Sequence, residues 1–470
     1  MRIAAGLCAG ALLVLLALGL MTHRALGTNA FDLSVFDYAL WTTASGEGLA
    51  FVPMFRHSLF AQHFMPTLLL LSPLSLIFDS PVYLIVLQTI LFAAAGLVLY
   101  RIAEPHVSRT LALALVAAFL LSRRSHAAVV SYFYIESAEP LLILGALLAW
   151  SRKHQLLYWA LTLLALGCKE DVALYMLTFG AMIALSRRDV TTGLATMAVA
   201  GGWLAIALFV MIPHWRHLYD LPGSNPFLDG RYATADSAFS WGTIALRLIA
   251  LESVARIITV ASATGLLCFL SPIWIVPALP GIALNLAAAP GTAQAGLHGH
   301  YLWPILPWLF VAAIFGASRI PTPWRRWAPV VVVFVALVDM PLIRPSTWEA
   351  YRDWSASAQV RRQMSQLAPE GVVVAQPNLI PHLSRQMQVH ALGVYTAGQP
   401  AGDYVLLSSV GDRWPLGAKG VEEEVVRRQG DPDYREIISG PLFAFERVAR
   451  QPGPAPLESA QPLQPDRRRP

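Results

Sequence analysis

The chain has 470 residues, of which 56% are hydrophobic and only 13% are charged. Soluble globular domains carry roughly 25% charged residues, so this composition excludes an ordinary soluble protein. The formal charge of +5 is small for the length, and nucleic-acid binding is not expected because the arginines lie mainly in short loops. Long apolar runs recur over residues 1–343 and predict a polytopic α-helical membrane protein in a lipid bilayer.

These apolar runs predict about eleven transmembrane helices. In chain order they are 3–26, 82–102, 108–122, 139–151, 155–168, 172–186, 191–212, 250–270, 273–289, 301–317 and 328–343. Basic clusters favour the cytoplasmic side and therefore predict a cytoplasmic N-terminus; they are Arg152-Lys153, Arg187-Arg188 and Arg325-Arg326. Four basic residues are predicted on the outer side of the membrane, against this rule: Arg123, Arg124, Lys169 and Arg231. They lie beside the candidate catalytic and binding residues.

A long first outer loop is predicted at 27–81, with two segments at the membrane surface. The first is roughly 33–43, and the second is 65–78, which contains two prolines. A run of 10–14 apolar residues is too short to cross a bilayer, so 65–78 is expected to re-enter or to lie flat. A true crossing is the alternative, and it would invert every later loop.

The chain changes character at residue 344. Short β-rich runs alternate with helical segments near 349–367 and 421–428, and predict a small extracytoplasmic α/β domain over 344–450. The strand-like runs are 371–376, 389–395, 403–409 and 442–448. The tail 451–470 is rich in proline and polar residues and is predicted to be disordered.

Five segments of the chain resemble one known family. They are FDLSVFDYALW, HFMPTLLLLSPL, LGCKEDVALYML, HYLWPILPWLF and NLIPHLSR, in that order over about residues 8–410. The family they resemble is DUF2079, a group of predicted bacterial membrane proteins, which looks like a branch of the GT-C glycosyltransferases. This resemblance implies transfer of a sugar from a polyprenyl-phosphate donor to a glycan, lipid or protein acceptor, at the outer face of the bacterial cytoplasmic membrane.

The resemblance also implies roles for particular residues. GT-C enzymes have an acidic residue early in the first outer loop that acts as a base or metal ligand, and Asp32 matches that position best. His63 with Pro66 resembles a histidine-proline element of protein O-mannosyltransferase relatives. The segment YFYIE at 132–136 departs from the D-F-H-P-E pattern, since only Phe133 and Glu136 match.

Sugar transfer needs a carboxylate that takes a proton from the acceptor hydroxyl. Asp32 is the candidate base, with the alternative that it caps a helix beginning at Leu33. Asp37 is the second catalytic candidate, with the alternative of a solvated surface position. The two lie about 140° apart on a helix, so they are not expected to share one metal ion.

The leaving phosphate needs a cation, which is either Arg or Lys or a divalent metal. Lys169 is the candidate, with Glu170 or Asp171 orienting it. Glu136 and Glu139 are three residues apart and form a candidate acidic pair. A hydrated loop edge for the glutamates and a plain helix boundary for residues 169–171 are the alternatives.

Four histidines fall on the predicted outer side: His57, His63, His298 and His300. With nearby carboxylates they could bind zinc, although their spacing matches no known ligand pattern, so the cofactor stays unknown with a divalent metal as an alternative. His300 with Tyr301 is a candidate contact for the donor phosphate. His382 and Arg385 either cover the site from the C-terminal domain or pack against helices. Cys8, Cys168 and Cys268 are interpreted as buried apolar side chains.

Two other functions compete with glycosyl transfer. A transporter or flippase of a lipid-linked or small polar substrate is the main alternative, and such proteins usually show internal repeats and ionisable residues at mid-membrane. No clear repeat is visible, and the charges cluster at one set of helix ends. A structural membrane subunit would leave the long acidic first loop without an evident use.

Overall fold

The computed structural model describes residues 1–448 except 124, 125, 127, 128, 131, 132, 187, 188, 222–231, 233–239, 341, 343–347, 350, 368, 370 and 395–399. The predicted tail at 451–470 and the clusters at Arg124, Arg187-Arg188 and Arg231 lie outside the described residues. The described chain is mostly helical, and a small sheet follows near its C-terminus. This agrees with the coarse prediction of an α-helical membrane protein with a small C-terminal α/β domain.

Within the described residues, the α-helices longer than four residues are α1 (Arg2–Arg24), α2 (Val35–Ser45), α3 (Val82–Ala103), α4 (Arg109–Leu121), α5 (Glu139–Ser151), α6 (Gln155–Leu166), α7 (Val172–Leu185), α8 (Val190–Leu218), α9 (Trp241–Ile249), α10 (Leu251–Ser262), α11 (Leu279–Ala287), α12 (Leu306–Ala317), α13 (Ala328–Asp339), α14 (Trp354–Ser365) and α15 (Gly417–Gln429). The strands are β1 (Phe51–Val52), β2 (His57–Ser58), β3 (Val373–Ala375), β4 (Val389–Ala391), β5 (Tyr404–Ser408), β6 (Tyr434–Ile438) and β7 (Leu442–Arg447).

Within the described residues, four helical segments are long and apolar enough to cross a membrane, by length and composition. They are Arg2–Arg24, Val82–Ala103, Val190–Leu218 and Gly299–Ala317. The predicted total of about eleven crossings is therefore not confirmed. Helices α4, α6 and α7 coincide with predicted spans but have only 13, 12 and 14 residues, whereas a straight crossing takes about 20.

The predicted span near 250–270 is not one continuous helix. Helix α10 ends at Ser262, and a 3₁₀ turn follows at Leu267–Leu270. The break lies at Gly265 and Leu266, which both have a positive φ, +63° and +60°. A right-handed helix requires negative φ, so these two residues prevent one helix from continuing through the segment. The apolar composition that predicted a span says nothing about this local conformation.

Small residues set how closely the apolar helices pack. Gly180 on α7 and Gly193 on α8 face each other, and a Cβ on Gly180 would lie 2.8 Å from the Gly193 carbonyl oxygen. A Cβ on Gly193 would lie 2.5 Å from the Ala184 backbone nitrogen. Membrane helices commonly use such pairs to bring backbones together. The three cysteines are free and buried, as predicted.

The first loop contains several short elements of secondary structure. A π-helical turn at Ala30–Ser34 leads directly into α2, and the short antiparallel pair β1–β2 follows. The predicted surface segment at 65–78 is a 3₁₀ helix, Pro66–Leu76. At about 2 Å per residue, its 11 residues extend roughly 22 Å, less than the hydrocarbon thickness of about 30 Å.

The C-terminal part is an α/β domain, as predicted. Its sheet has the order β4-β3-β5-β7-β6, with β3 parallel to β4 and to β5 and with antiparallel pairs β5–β7 and β6–β7. The four predicted strands and both predicted helices are present with shifted ends. Strand β6 was missed because its sequence, YREII, carries charges and lies at the sheet edge, where charged side chains are usual.

Candidate functional site

The π-helical turn Ala30–Ser34, which we call the Asp32 segment, is capped by Asn29 and not by Asp32. The Asn29 side chain caps the π-helical turn by accepting hydrogen bonds from the backbone N–H groups of Phe31 (2.9 Å) and Asp32 (3.2 Å). The capping role considered for Asp32 therefore belongs to Asn29. This leaves the Asp32 carboxylate available for contacts with other parts of the chain.

The Asp32 carboxylate accepts from two neutral donors. The Tyr134 hydroxyl donates to Oδ1, and Asn29 Nδ2 donates to Oδ2 at 2.9 Å. The Phe133 N–H also donates to the Asp32 carbonyl oxygen at 2.7 Å, which fixes the two segments together. Burial raises the pKa of Asp32, although the Tyr134 and Asn29 hydrogen bonds act in the opposite direction. A carboxylate with a raised pKa is a better proton acceptor near neutral pH.

A run of aromatic rings leads from Tyr134 towards Lys169. His300 stacks on Tyr134 with 3.8 Å between ring centroids, and Tyr301 lies 4.0 Å from His300. The Lys169 ammonium lies 5.8 Å from the centroid of the Tyr301 ring, within the range of a cation–π contact. His300, Tyr301 and Lys169, three predicted site residues, therefore lie in one run of contacts that begins at Asp32. His298 begins the same turn as its N-cap.

Lys169 forms a buried ion pair with Glu136. Its Nζ lies 3.1 Å from Glu136 Oε1. Burial by itself lowers the pKa of Lys169, but the carboxylates of Glu136 and Asp171 outweigh this and raise it. Lys169 is therefore a fixed positive charge in the site. Glu136 and Lys169 are both predicted site residues, but their pairing across 33 positions is not predicted from the sequence, which favours Glu170 or Asp171 as the partner of Lys169.

Glu170 points to a different partner. Its Oε1 lies 2.7 Å from His63 Nδ1, and its Oε2 accepts from the Phe64 N–H at 3.1 Å. Burial raises the pKa of Glu170, but the charge and hydrogen bond of His63 outweigh it, so the pKa is lowered. The pair joins the first loop to the α6–α7 connection. His63 and Glu170, both predicted site residues, are thus brought together.

Lys169, Glu136 and Glu170 are joined by two further carboxylates, those of Glu139 and Asp171. We call these five residues the buried charge cluster. Glu139 is 0% exposed, and neither of its carboxylate oxygens has a hydrogen-bond partner among the described residues. Asp171 Oδ1 is also buried without a partner there.

Across the described part of the chain, no group of three or more His, Cys, Asp or Glu residues could hold a metal ion. The zinc alternative thus gains no support, and His57 instead donates from Nδ1 to the Ser58 carbonyl oxygen at 2.9 Å.

Asp37 and Arg385 pair with each other, apart from the Asp32 contacts. Arg385 Nε and Nη2 donate to the two Asp37 oxygens at 2.9 and 2.8 Å. Arg385 also donates to the carbonyl oxygens of Ser75 and Phe78, both at 2.8 Å. Both side chains are nearly buried, 4% exposed for Asp37 and 9% for Arg385. This bidentate arrangement favours a structural role in attaching the C-terminal domain to the first loop.

His382 lies at another contact between the two parts of the chain. Its ring stacks on His23 at the end of α1, with centroids 4.2 Å apart. Burial lowers the pKa of His382 well below its usual value. The stack is consistent with the packing alternative for His382.

Three residues of this site were not singled out from the sequence: Asn29, Tyr134 and Asp412. Asn29 Nδ2 also donates to Asp412 Oδ2, at 3.3 Å. An Asn three residues before an Asp, at the start of a helical turn, is a capping signal that would have identified Asn29. Tyr134 lies in the segment YFYIE at 132–136, whose residue pattern does not distinguish it from its neighbours. Asp412 is 383 positions from Asn29, and no local pattern identifies it.

A search of curated proteins found no match to this chain. A family model described as "Predicted membrane protein (DUF2079)" matches residues 22–435. The match includes the first loop, the buried charge cluster and most of the C-terminal sheet. The chain therefore belongs to the DUF2079 family of predicted membrane proteins.

Proposed function

We propose that this protein is a membrane glycosyltransferase of the GT-C type. It transfers a sugar from a polyprenyl-phosphate donor to an acceptor hydroxyl at the outer face of the cytoplasmic membrane. Asp32 acts as the general base: its carboxylate accepts the hydroxyl proton as the acceptor oxygen bonds to the anomeric carbon, and the phosphate leaves with the bonding electrons.

One observation carries this proposal. A continuous set of contacts runs from Asp32 through Tyr134, His300 and Tyr301 to Lys169. It joins a proton acceptor to a buried positive charge, which are the two groups that this reaction requires. Four of these residues, Asp32, Tyr134, Lys169 and His300, come from four separate predicted outer segments. Their meeting supports a common site.

Lys169 is proposed to hold the donor phosphate. An ammonium group has three N–H donors, and Glu136 accepts one of them. A phosphate oxygen bound by the same ammonium would gain a charge-assisted hydrogen bond. Tyr301 and His300 would then lie between the phosphate and the Asp32 carboxylate.

An apolar cavity of about 330 Å³ offers a place for the donor lipid. It lies between α10, the turns around 272–278 and α12, and its lining includes Ile257, Phe269, Leu297, Ile305 and Leu309. Leu297 directly precedes His298 in the chain. A lipid tail that leaves this cavity at Leu297 would have its phosphate end near the His298–Tyr301 turn.

The test is a transfer assay on full-length protein in nanodiscs, supplied with radiolabelled polyprenyl-phosphate sugars and with glycan, lipid and protein acceptor fractions. Asp32→Asn should lower the transfer rate by about 10²–10⁴-fold, the usual contribution of a general base. Asp79→Asn is the control, because Asp79 is an exposed carboxylate of the same loop. Full activity in Asp32→Asn would reject Asp32 as the base. Substrate translocation without transfer would favour the transport alternative.

The proposal also requires the C-terminal domain and the first loop to lie outside the cytoplasm. Single cysteines at exposed Lys153 and at exposed Asp79 should react with an impermeant thiol reagent from opposite sides of the membrane. Asp79→Cys should be labelled in intact spheroplasts and Lys153→Cys only after permeabilisation. The reverse pattern would contradict the proposed orientation.

A further inference from the structure

The C-terminal domain reaches the Asp32 segment with two loops of its sheet. Strands β3 and β5 are parallel neighbours, and both loops leave their carboxyl ends. After β3, the Pro377 carbonyl oxygen accepts from the Ala30 N–H at 2.9 Å. After β5, the Asp412 N–H donates to the Leu26 carbonyl oxygen at 2.9 Å. In α/β folds, the carboxyl ends of neighbouring parallel strands with diverging connections are the usual place for ligands.

The approach of the second loop depends on Gly411. Its φ is +81°, in the left-handed region that glycine adopts readily. A Cβ at this position would lie 2.5 Å from the Leu26 Cβ and 2.6 Å from the Leu26 carbonyl oxygen. Glycine here therefore permits the contact that brings Asp412 to the Asp32 segment.

The Asp412 side chain is held in one orientation. The side-chain Oδ1 accepts from the Trp414 N–H at 3.1 Å, and the backbone carbonyl oxygen of Asp412 accepts from Gln376 Nε2 at 3.2 Å. The Trp414 ring packs edge-on against Phe31, with 5.3 Å between centroids. These contacts aim the other carboxylate oxygen at Asn29.

Asn29 therefore links two carboxylates. Its Nδ2 donates to Asp32 Oδ2 at 2.9 Å and to Asp412 Oδ2 at 3.3 Å. The titratable groups that act on Asp32 are Tyr134, from the outer segment before α5, and Asp412, from the C-terminal domain. Burial has the largest effect on the pKa of Asp32, and the Asp412 charge raises it further.

We propose that Asp412 is a positioning residue for the Asp32 carboxylate, acting through the Asn29 amide that the two carboxylates share. The C-terminal domain thereby completes the site. The importance of this link for catalysis rests on the proposed function, whereas the link between the carboxylates does not. Asp32 and Asp412 can therefore be examined without turnover.

The experiment is an infrared difference titration of the full-length protein in nanodiscs. The carboxylic-acid C=O band of Asp32 is identified as the band lost in Asp32→Asn. In Asp412→Asn the titration midpoint of this band should fall by about one pH unit, because a like charge no longer opposes ionisation. Asn at 412 keeps a side-chain oxygen that accepts from Asn29. Asp433→Asn, which removes an exposed carboxylate of the same domain, should leave the midpoint unchanged.

An Asp412→Asn midpoint equal to that of the wild type would overturn the proposal. If this variant does not fold, Asp412→Ser removes the same charge and carries the same expectation, and an unchanged midpoint in Asp412→Ser overturns it equally. The transfer assay is read separately. A shifted midpoint in a protein without transfer activity would leave the link between Asp412 and Asp32 standing and would reject only the proposed enzyme function.

Discussion

Two aspartates of one segment, FDLSVFDYALW, have opposite surroundings. Asp32 accepts hydrogen bonds from neutral groups, the Tyr134 hydroxyl and the Asn29 amide. Asp37, five residues later, is held by both arms of the Arg385 guanidinium. Burial raises the pKa of both carboxyl groups, but only Asp37 has a permanent counter-charge beside it.

The difference shows that the partner decides what a buried carboxylate does. A carboxylate neutralised by a bidentate arginine is a poor proton acceptor and a strong attachment point. A carboxylate that accepts only neutral donors keeps its negative charge available for a substrate proton. Both residues are aspartates of the first loop, only five positions apart. Residue type and location in the loop therefore do not by themselves distinguish the proposed base from a carboxylate paired with arginine.

The largest expected effect is the difference in transfer rate between the Asp32→Asn and Asp37→Asn variants. Asp37→Asn should keep the transfer rate per folded molecule within severalfold of the wild type, whereas Asp32→Asn should lower it by about 10²–10⁴-fold. The measurement is the nanodisc transfer assay, normalised to the monodisperse fraction. Equal losses in the two variants would mean that Asp37 also acts in the reaction, as the sequence alone had suggested.

The second effect concerns stability. Arg385→Ala leaves the buried Asp37 carboxylate without its partner and should destabilise the protein by about 3–5 kcal/mol. Arg352→Ala is the matched control, because the Arg352–Glu349 pair is exposed, 73% and 54%, and exposed pairs contribute about 0–1 kcal/mol. Denaturant titrations of both variants provide the comparison, and equal midpoints would refute a clamping role for Arg385.

The third effect concerns donor binding by the Lys169 ammonium group. Lys169→Ala should weaken apparent donor affinity by about tenfold or more, since a hydrogen bond to a charged group contributes roughly 1.5–3 kcal/mol. Glu136→Gln is added in a second variant so that no unpaired buried carboxylate remains. Lys153→Ala, on an exposed turn, is the control. Unchanged donor affinity in the double variant would indicate that Lys169 is merely structural.

A smaller effect is expected at Tyr134. Tyr134→Phe removes the hydroxyl that donates to Asp32 and favours its ionised form, so the pKa of Asp32 should rise. The acid limb of the transfer–pH profile should therefore move to higher pH, with a loss of about tenfold in rate. A profile that coincides with the wild type would contradict a direct action of Tyr134 on Asp32.

The smallest effect is the acid dependence of stability at Glu170. Its pKa is below the usual value of about 4.5, so its stabilising contribution is present above that value and is lost as the pH falls through the folded pKa. Glu170→Gln should therefore show a flatter decline in unfolding free energy on acidification than the wild type. Glu349→Gln, at an exposed pair, should decline like the wild type. Parallel curves for wild type and Glu170→Gln would contradict this linkage.

Local sequence patterns predicted much of the fold. The apolar runs at 3–26, 82–102 and 191–212 correspond to long helices, since the length of an apolar run constrains a helix directly. Four of the five strands of the C-terminal sheet were predicted from β-branched residues. The segment 250–270 was predicted as one span because its composition is apolar, but two residues with positive φ interrupt it. Hydropathy carries no information about such a break.

The candidate site was predictable in its membership and not in its pairing. Lys169, Glu170 and Asp171 stood out because adjacent charges between apolar runs need a specific partner. Which partner each has was not visible: Lys169 pairs with Glu136, and Glu170 pairs with His63. Neighbours in sequence point in different directions here, so a run of charges does not act as one unit.

By itself, the sequence determined the helical membrane class, the family, and the position of Asp32 just after the first apolar helix. Only the tertiary structure decided that Asp37 belongs to Arg385, 348 positions away, and that Asp412 shares an amide with Asp32. The physical reason is the distance along the chain over which each kind of interaction acts. Periodicity and capping act over a few residues, whereas the partner of a buried charge is set by how the C-terminal sheet packs onto the first loop.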